Sequence, residues 1–237
     1  MNESLLKAIS LSFKAFLEKG TSRSTDKLKP LHGAIAADIA THLGSDYEVW
    51  AKGYEKHDKE EIIEGRYMQK RVDITIKRSG TNEILAGIGV KFAMQNYFQN
   101  SGNYFENMLG ETANIRCNNH PYFQVFVILD TLPYYNTEKK ITHFEHFTKH
   151  NIEKYVKLSE DNIDAYRHTP NKTLIFVVHL TDTKPEAKTQ AEYLQFYRSK
   201  KYQITISPNE YPAFGSTVIL NDYAQFIEKV YHTIKAI

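Results

Sequence analysis

Apolar residues recur along this chain with two periods, and the switches between them set out its elements. Over 4–18, Leu5, Leu6, Ile9, Phe13, Phe16 and Leu17 form a broad stripe at helical spacing, and Gly20 supplies the stop. A polar connector, Thr21 to Lys29 with Arg23, precedes a second predicted helix from about Pro30 to Leu43. Its buried stripe is Ile35, Ala36, Ile39 and Leu43, and Asp38 is its one acid. Tyr47 to Tyr54 reads as a strand, and Glu55 to Glu64 as a charged segment. The pattern then alternates strictly. Val72, Ile74 and Ile76 share one face of 71–77, and Ile88, Val90 and Phe92 repeat the alternation after the turn Ser79-Gly80-Thr81-Asn82. This predicts a hairpin in which Asp73 stands across from Gly89 or Lys91.

Beyond the hairpin, an amide-rich segment leads into a predicted helix over about 103–117. Tyr122 to Leu129 is almost continuously apolar, as a strand buried on both faces would be. A helix near 142–157, a second buried strand Thr173–Leu180, a helix at 186–197, a short strand at 202–206 and a closing helix at 220–236 follow. The order predicts an α/β fold with a central mixed β-sheet flanked by helices. The expected organisation is a single domain over 1–237, its core at about 30–180, with an N-terminal helix and C-terminal helical and strand additions.

Composition narrows the setting. The chain is 41% hydrophobic and 24% charged, which are globular values, and its net charge of +2 does not by itself declare a nucleic-acid partner. The single cysteine, Cys117, excludes an internal disulfide and fits a reducing compartment. No run reaches the roughly 18 apolar residues of a membrane span, and the N-terminus is a poor signal peptide. A cytoplasmic protein without membrane contact is expected. Sixteen tyrosines belong mainly in the core, with Tyr104, Tyr134, Tyr135, Tyr197 and Tyr202 as candidates for an interface.

On the polar side of the hairpin stand Arg71, Asp73 and Thr75, facing Gly87, Gly89 and Lys91. Glycines within a strand leave room for a ligand or another backbone. On the predicted helix 103–117, Tyr104, Phe105, Met108, Leu109, Thr112 and Ile115 face inward, and Asn103, Asn107, Gly110 and Asn114 outward. Glu106 and Glu111 lie at the borders between them, where either acid can bend toward Asp73. One such carboxylate with Asp73 would hold a hard divalent cation through oxygen. The cation would activate water, and Lys91 would orient it or stabilise developing charge. Glu60, Glu61 and Glu64 read first as a solvated charge run; the alternative is that one of them reaches the metal from the strand entry.

The aspartate on one hairpin strand, Val90-Lys91 on the other and the helix–three-strand–helix–strand order resemble the PD-(D/E)XK nuclease superfamily, and most of all a type II restriction endonuclease. The resemblance covers about 30–130. Two positions depart from its pattern: Val72 replaces the proline before Asp73, and Gly89 stands where an acid is expected two residues before the lysine. Some restriction endonucleases draw the missing acid from the following helix, which makes Glu106 the first candidate and Glu111 the second. The resemblance implies Mg²⁺-dependent hydrolysis of double-stranded DNA, with Mn²⁺ as a substitute metal, by a homodimer. Asp73 and a helix glutamate would bind the metal, and Lys91 would be the catalytic lysine.

DNA contacts are expected from Gln95, Asn96, Gln99, Asn100 and Asn103, since amides pair bidentately with adenine. Capping and loop hydrogen bonding is an equal reading for each. Arg198, Lys200 and Lys201 form a second candidate patch, against a solvated basic turn. His146 and His150, four apart on a predicted helix, have the spacing of zinc ligands, but no acidic partner or cysteine pair accompanies them. The alternatives to a nuclease are a catalytically inactive DNA-binding protein of the same fold and a protein-interaction module.

Overall fold

The structure is a computed structural model that describes residues 1–20, 25–181 and 186–237; residues 21–24 of the expected connector, with Arg23, lie outside the described residues. The elements are α1 (Asn2–Lys19), α2 (Lys29–Leu43), β1 (Tyr47–Ala51), β2 (Glu61–Glu64), β3 (Gln69–Val72), β4 (Ile74–Arg78), β5 (Ile84–Ala93), α3 (Tyr97–Arg116) and β6 (Tyr122–Leu129). They continue with β7 (Thr131–Tyr135), β8 (Ile141–His146), α4 (Lys149–Ser159), β9 (Lys172–Thr181), α5 (Gln190–Ser199), β10 (Gln203–Ile206), β11 (Val218–Leu220) and α6 (Tyr223–Lys235). The fold is α/β. Its central sheet runs β1-β4-β5-β6-β9-β10, with β11 also paired to β9. The sheet is mixed: β5, β6, β9 and β11 are parallel neighbours, while β1, β4 and β10 pair antiparallel.

Alternate residues of β6 point to opposite faces, and each face is covered. Phe123 meets Phe226 of α6 edge-on at 6.3 Å, whereas Phe126 stacks on Tyr155 of α4 at 5.9 Å. The amphipathic helices α1, α2 and α6 pack against one another, and α3 packs on β5 and β6. Every residue of β6 is buried, as its unbroken apolar run requires. Among the described residues no helix is long and apolar enough to cross a membrane.

The predicted hairpin departs from strict alternation at Asp73. Before it, β3 pairs with β2 in a separate two-stranded sheet; after it, β4 pairs with β1 and β5. Changing ladders turns the chain over. Ile74 and Ile76 enter the main core, but Val72 joins Ile63, Ile115 and Tyr122 in a second, smaller cluster. Both faces of β4 are covered: Thr75 is fully buried, and Lys77 lies over the Trp50 ring at 5.2 Å.

A second correction concerns the helix expected near 142–157. Residues 141–146 instead form β8, antiparallel to β7, and α4 begins only at Lys149 behind a Thr148–Asn151 capping box. His146 therefore lies on a strand and His150 on a helix, so the spacing expected of two zinc ligands on one helix does not exist. Both line a cleft of about 370 Å³, together with His143 and Glu145.

Candidate metal centre

Asp73 is the single residue between β3 and β4, so its side chain leaves the chain where the two ladders part. Its Oδ2 accepts the Val90 N–H at 2.7 Å, which ties it to the strand carrying Lys91. The register Ile74↔Ile88 puts Asp73 opposite Gly89, one of the two partners expected. Glu60 comes immediately before β2, and β2 pairs back onto β3, so the hairpin β2–β3 carries one acid at each foot. Glu60 is only 7% exposed and meets Lys52 Nζ at 3.4 Å.

The third group is His32, in the first turns of α2. An ideal Cβ on the neighbouring Gly33 would lie 2.1 Å from Gly53 O, so only glycine lets the helix press against the turn after β1. That approach sets His32 beside the acids, 2% exposed, its Nε2 without a hydrogen-bond partner. One ligand atom from each of His32, Glu60 and Asp73 lies within 4.8 Å of the others. Donors at roughly 2.1 Å from a shared cation stand about 3–4 Å apart, so the group is near the spacing such an ion requires. Burial lowers the His32 pKa; Asp73 and Glu60 oppose that shift, and Lys91 and Lys52 add to it. The net direction favours the neutral imidazole, the form that binds metals.

Around Gly89 the second strand is full. A Cβ there would lie 2.7 Å from Gln124 Nε2 and 2.8 Å from the Tyr122 hydroxyl. The position where an acid is expected is thus closed by β6 rather than open. Gln124 is 2% exposed, and its Nε2 has no partner. Tyr122 Oη donates to Glu111 Oε2 at 3.4 Å. Its pKa lies well above the ordinary value, through burial first and then through the Glu111 and Asp73 charges.

The sequence-predicted residues fall into three sets. Asp73 and Lys91 come together, since both belong to the charge surroundings of His32, and Lys91 has no side-chain partner among the described residues. Glu111 faces the same side of the sheet but is engaged by Lys70 Nζ at 2.7 Å. Glu106 is exposed, and the charge it acts on is Lys154 of α4. Neither helix glutamate belongs to the His32–Glu60–Asp73 group. The proposed DNA-contacting amides divide as well. Asn96, with φ 49°, bonds both backbone groups of Tyr135, and Asn100 bonds Asn96 O, so both amides are engaged by loop backbone. Gln95 accepts from Gln190, while Gln99 and Asn103 are exposed. Arg198 reaches the backbone carbonyls of Leu17 and Glu18 at the end of α1, and Lys200 lies over the Phe196 ring at 4.8 Å; Lys201 is exposed.

His32 was not among the expected site residues. Its signal is faint but present: it lies three and four residues before Ile35 and Ala36, a polar side chain continuing a buried stripe. Compared with protein-family models, with curated proteins and with solved structures, the chain finds no match.

Proposed function

We propose that this chain is a metal-dependent endonuclease hydrolysing phosphodiester bonds of double-stranded DNA, built in the manner of a type II restriction endonuclease and acting as a homodimer. The observation that carries this reading is the convergence of His32, Glu60 and Asp73 beside Lys91. One imidazole and two carboxylates suit a divalent cation, and the nitrogen makes Mn²⁺ at least as good an occupant as Mg²⁺. Such an ion, when bound, polarises a phosphate and lowers the pKa of its water. The residues supply the rest. Asp73 is held in place by the Val90 amide, and Glu60 takes over the role that Gly89 cannot fill. The Lys91 ammonium, unpaired among the described residues, stabilises negative charge developing on the phosphate.

The test is cleavage of supercoiled plasmid in Mn²⁺, Mg²⁺ or Ca²⁺. Cleavage in Mn²⁺ or Mg²⁺, abolished in Asp73→Ala and in Lys91→Ala, is the expected result. A second reading, a catalytically inactive DNA-binding protein of the same fold, draws on Gly89 and on the closure of its position by Gln124 and Tyr122. Plasmid left intact in every metal by protein that still binds it would favour that reading.

A further inference from the structure

The hairpin β2–β3 rises between two of the grouped residues, Glu60 before it and Asp73 after it, and its far end has an unusual surface. Tyr67 is 77% exposed and Met68 64% exposed, at a turn closed by the bond from Gly65 N to Met68 O. Between residues 66 and 71 the sequence is Arg-Tyr-Met-Gln-Lys-Arg, three cations with no acid. Lys70 is engaged by Glu111, but Arg66 and Arg71 have no side-chain partner among the described residues.

This tip is not a loose loop. Asn114 of α3 accepts from the amides of Tyr67 and Met68 at 2.9 and 3.2 Å and donates to Met68 O at 2.9 Å. Its own carbonyl accepts from Arg66 N at 2.7 Å, and Asn118 Nδ2 holds Glu64 O at 2.8 Å. On the under side, Ile63 and Val72 anchor the hairpin in the cluster with Ile115 and Tyr122. The backbone is fixed while the two large side chains stand in solvent.

From these observations we infer that the β2–β3 tip is a nucleic-acid wedge. Tyr67 and Met68 insert against the bases, and Arg66 and Arg71 hold the flanking phosphates. The inference rests on the nuclease reading above. Apolar side chains on a rigid, cationic support are how proteins unstack a base step and kink a duplex. Self-association is the poorer occupant, because two side chains fall far short of the roughly 800 Å² per partner of a stable interface. The reach also fits. Met68 lies five residues from Asp73 along the hairpin, about 17 Å of chain, so the wedge acts roughly five nucleotides from the metal group at about 3.4 Å per nucleotide.

The double variant Tyr67→Ala/Met68→Ala tests this, since both side chains are exposed and the bonds to Asn114 are made by backbone. Fluorescence anisotropy on a short mixed-sequence duplex in Ca²⁺ should show binding weakened roughly five- to hundredfold. In an Asp73→Ala background, unwinding of relaxed closed-circular plasmid should be lost with the double variant and kept with Tyr67→Trp. Equal affinity and equal unwinding with and without the two side chains overturns the wedge while leaving the nuclease reading intact. Loss of dimer sedimentation with DNA affinity unchanged also overturns it. No binding by the wild-type chain removes the nucleic-acid reading itself.

Discussion

The backbone N–H of Val90 donates to the Asp73 carboxylate at 2.7 Å, so the strand that carries Lys91 also aims the acid across from it. This separates two substitutions. Asp73→Asn keeps an oxygen acceptor for Val90 and should melt close to wild type while losing Mn²⁺ binding in calorimetry. Asp73→Ala leaves a partly buried amide without its partner, at a cost of about 1–3 kcal/mol. If Asp73→Asn binds Mn²⁺ as the wild type does, Asp73 is not a ligand.

Restoring the acid at Gly89 should fail. A Cβ at that position already lies 2.7 Å from Gln124 Nε2, and Gln124 is buried. Gly89→Glu is therefore an overpacking change, worth about 1–3 kcal/mol, or a fall in melting temperature of roughly 2–12 °C for a chain of this size. Gly89→Glu with Gln124→Gly should recover much of that loss. A single Gly89→Glu variant that melts like wild type and cleaves faster would show that the room exists after all.

What the sequence made legible follows from how far each signal reaches along the chain. Helices with a clear stripe and the strands at 122–129 and 172–181 could be read because local pattern decides them. The misread segments depend on distant partners. The start of α3 lies at Tyr97, well before the expected 103, because Glu145 of β8 accepts the Tyr97 and Phe98 amides at 2.7 and 3.0 Å. No residue next to the helix announces that cap. Residues 141–146 form a strand because β7 is there to pair with, and Val72 changes face because β2 is. At the site, Asp73 and Lys91 stood out because two alternating strands put them on one side. Glu60 and His32 arrive from a hairpin foot and a helix, and only the packed fold brings them together.

Alkaline pH should unfold this protein. Burial raises the pKa of ten tyrosines, among them Tyr197, pushed up to about 12, and Tyr122 beside the site. Above pH of about 10 the unfolded chain releases phenolic protons that the folded chain retains, so stability is full below that pH and falls as pH rises through the folded values. Tyrosinate absorbance and far-ultraviolet circular dichroism, followed together, should change in one transition. Phenols that ionise near pH 10 with the dichroism intact would contradict their burial.

The three glutamates proposed or found near the site make a graded comparison. Glu60 is almost fully buried and grouped with His32 and Asp73, yet among the described residues its one ion-pair partner is Lys52 at 3.4 Å. If it is a ligand, Glu60→Gln should weaken Mn²⁺ binding at least tenfold, because one charged oxygen donor is lost from a small set. Glu111 is committed to Lys70 at 2.7 Å and to the Tyr122 hydroxyl at 3.4 Å. Glu111→Gln should leave Mn²⁺ affinity within a few-fold and register mainly in stability, by about 1 kcal/mol, as a partly exposed pair does. Glu106 is exposed and outside the group, so Glu106→Gln should change neither. Calorimetric titration of the three variants reads the order directly. An effect of Glu106→Gln on Mn²⁺ affinity as large as that of Glu60→Gln would return the second carboxylate to the helix and take it from the hairpin foot.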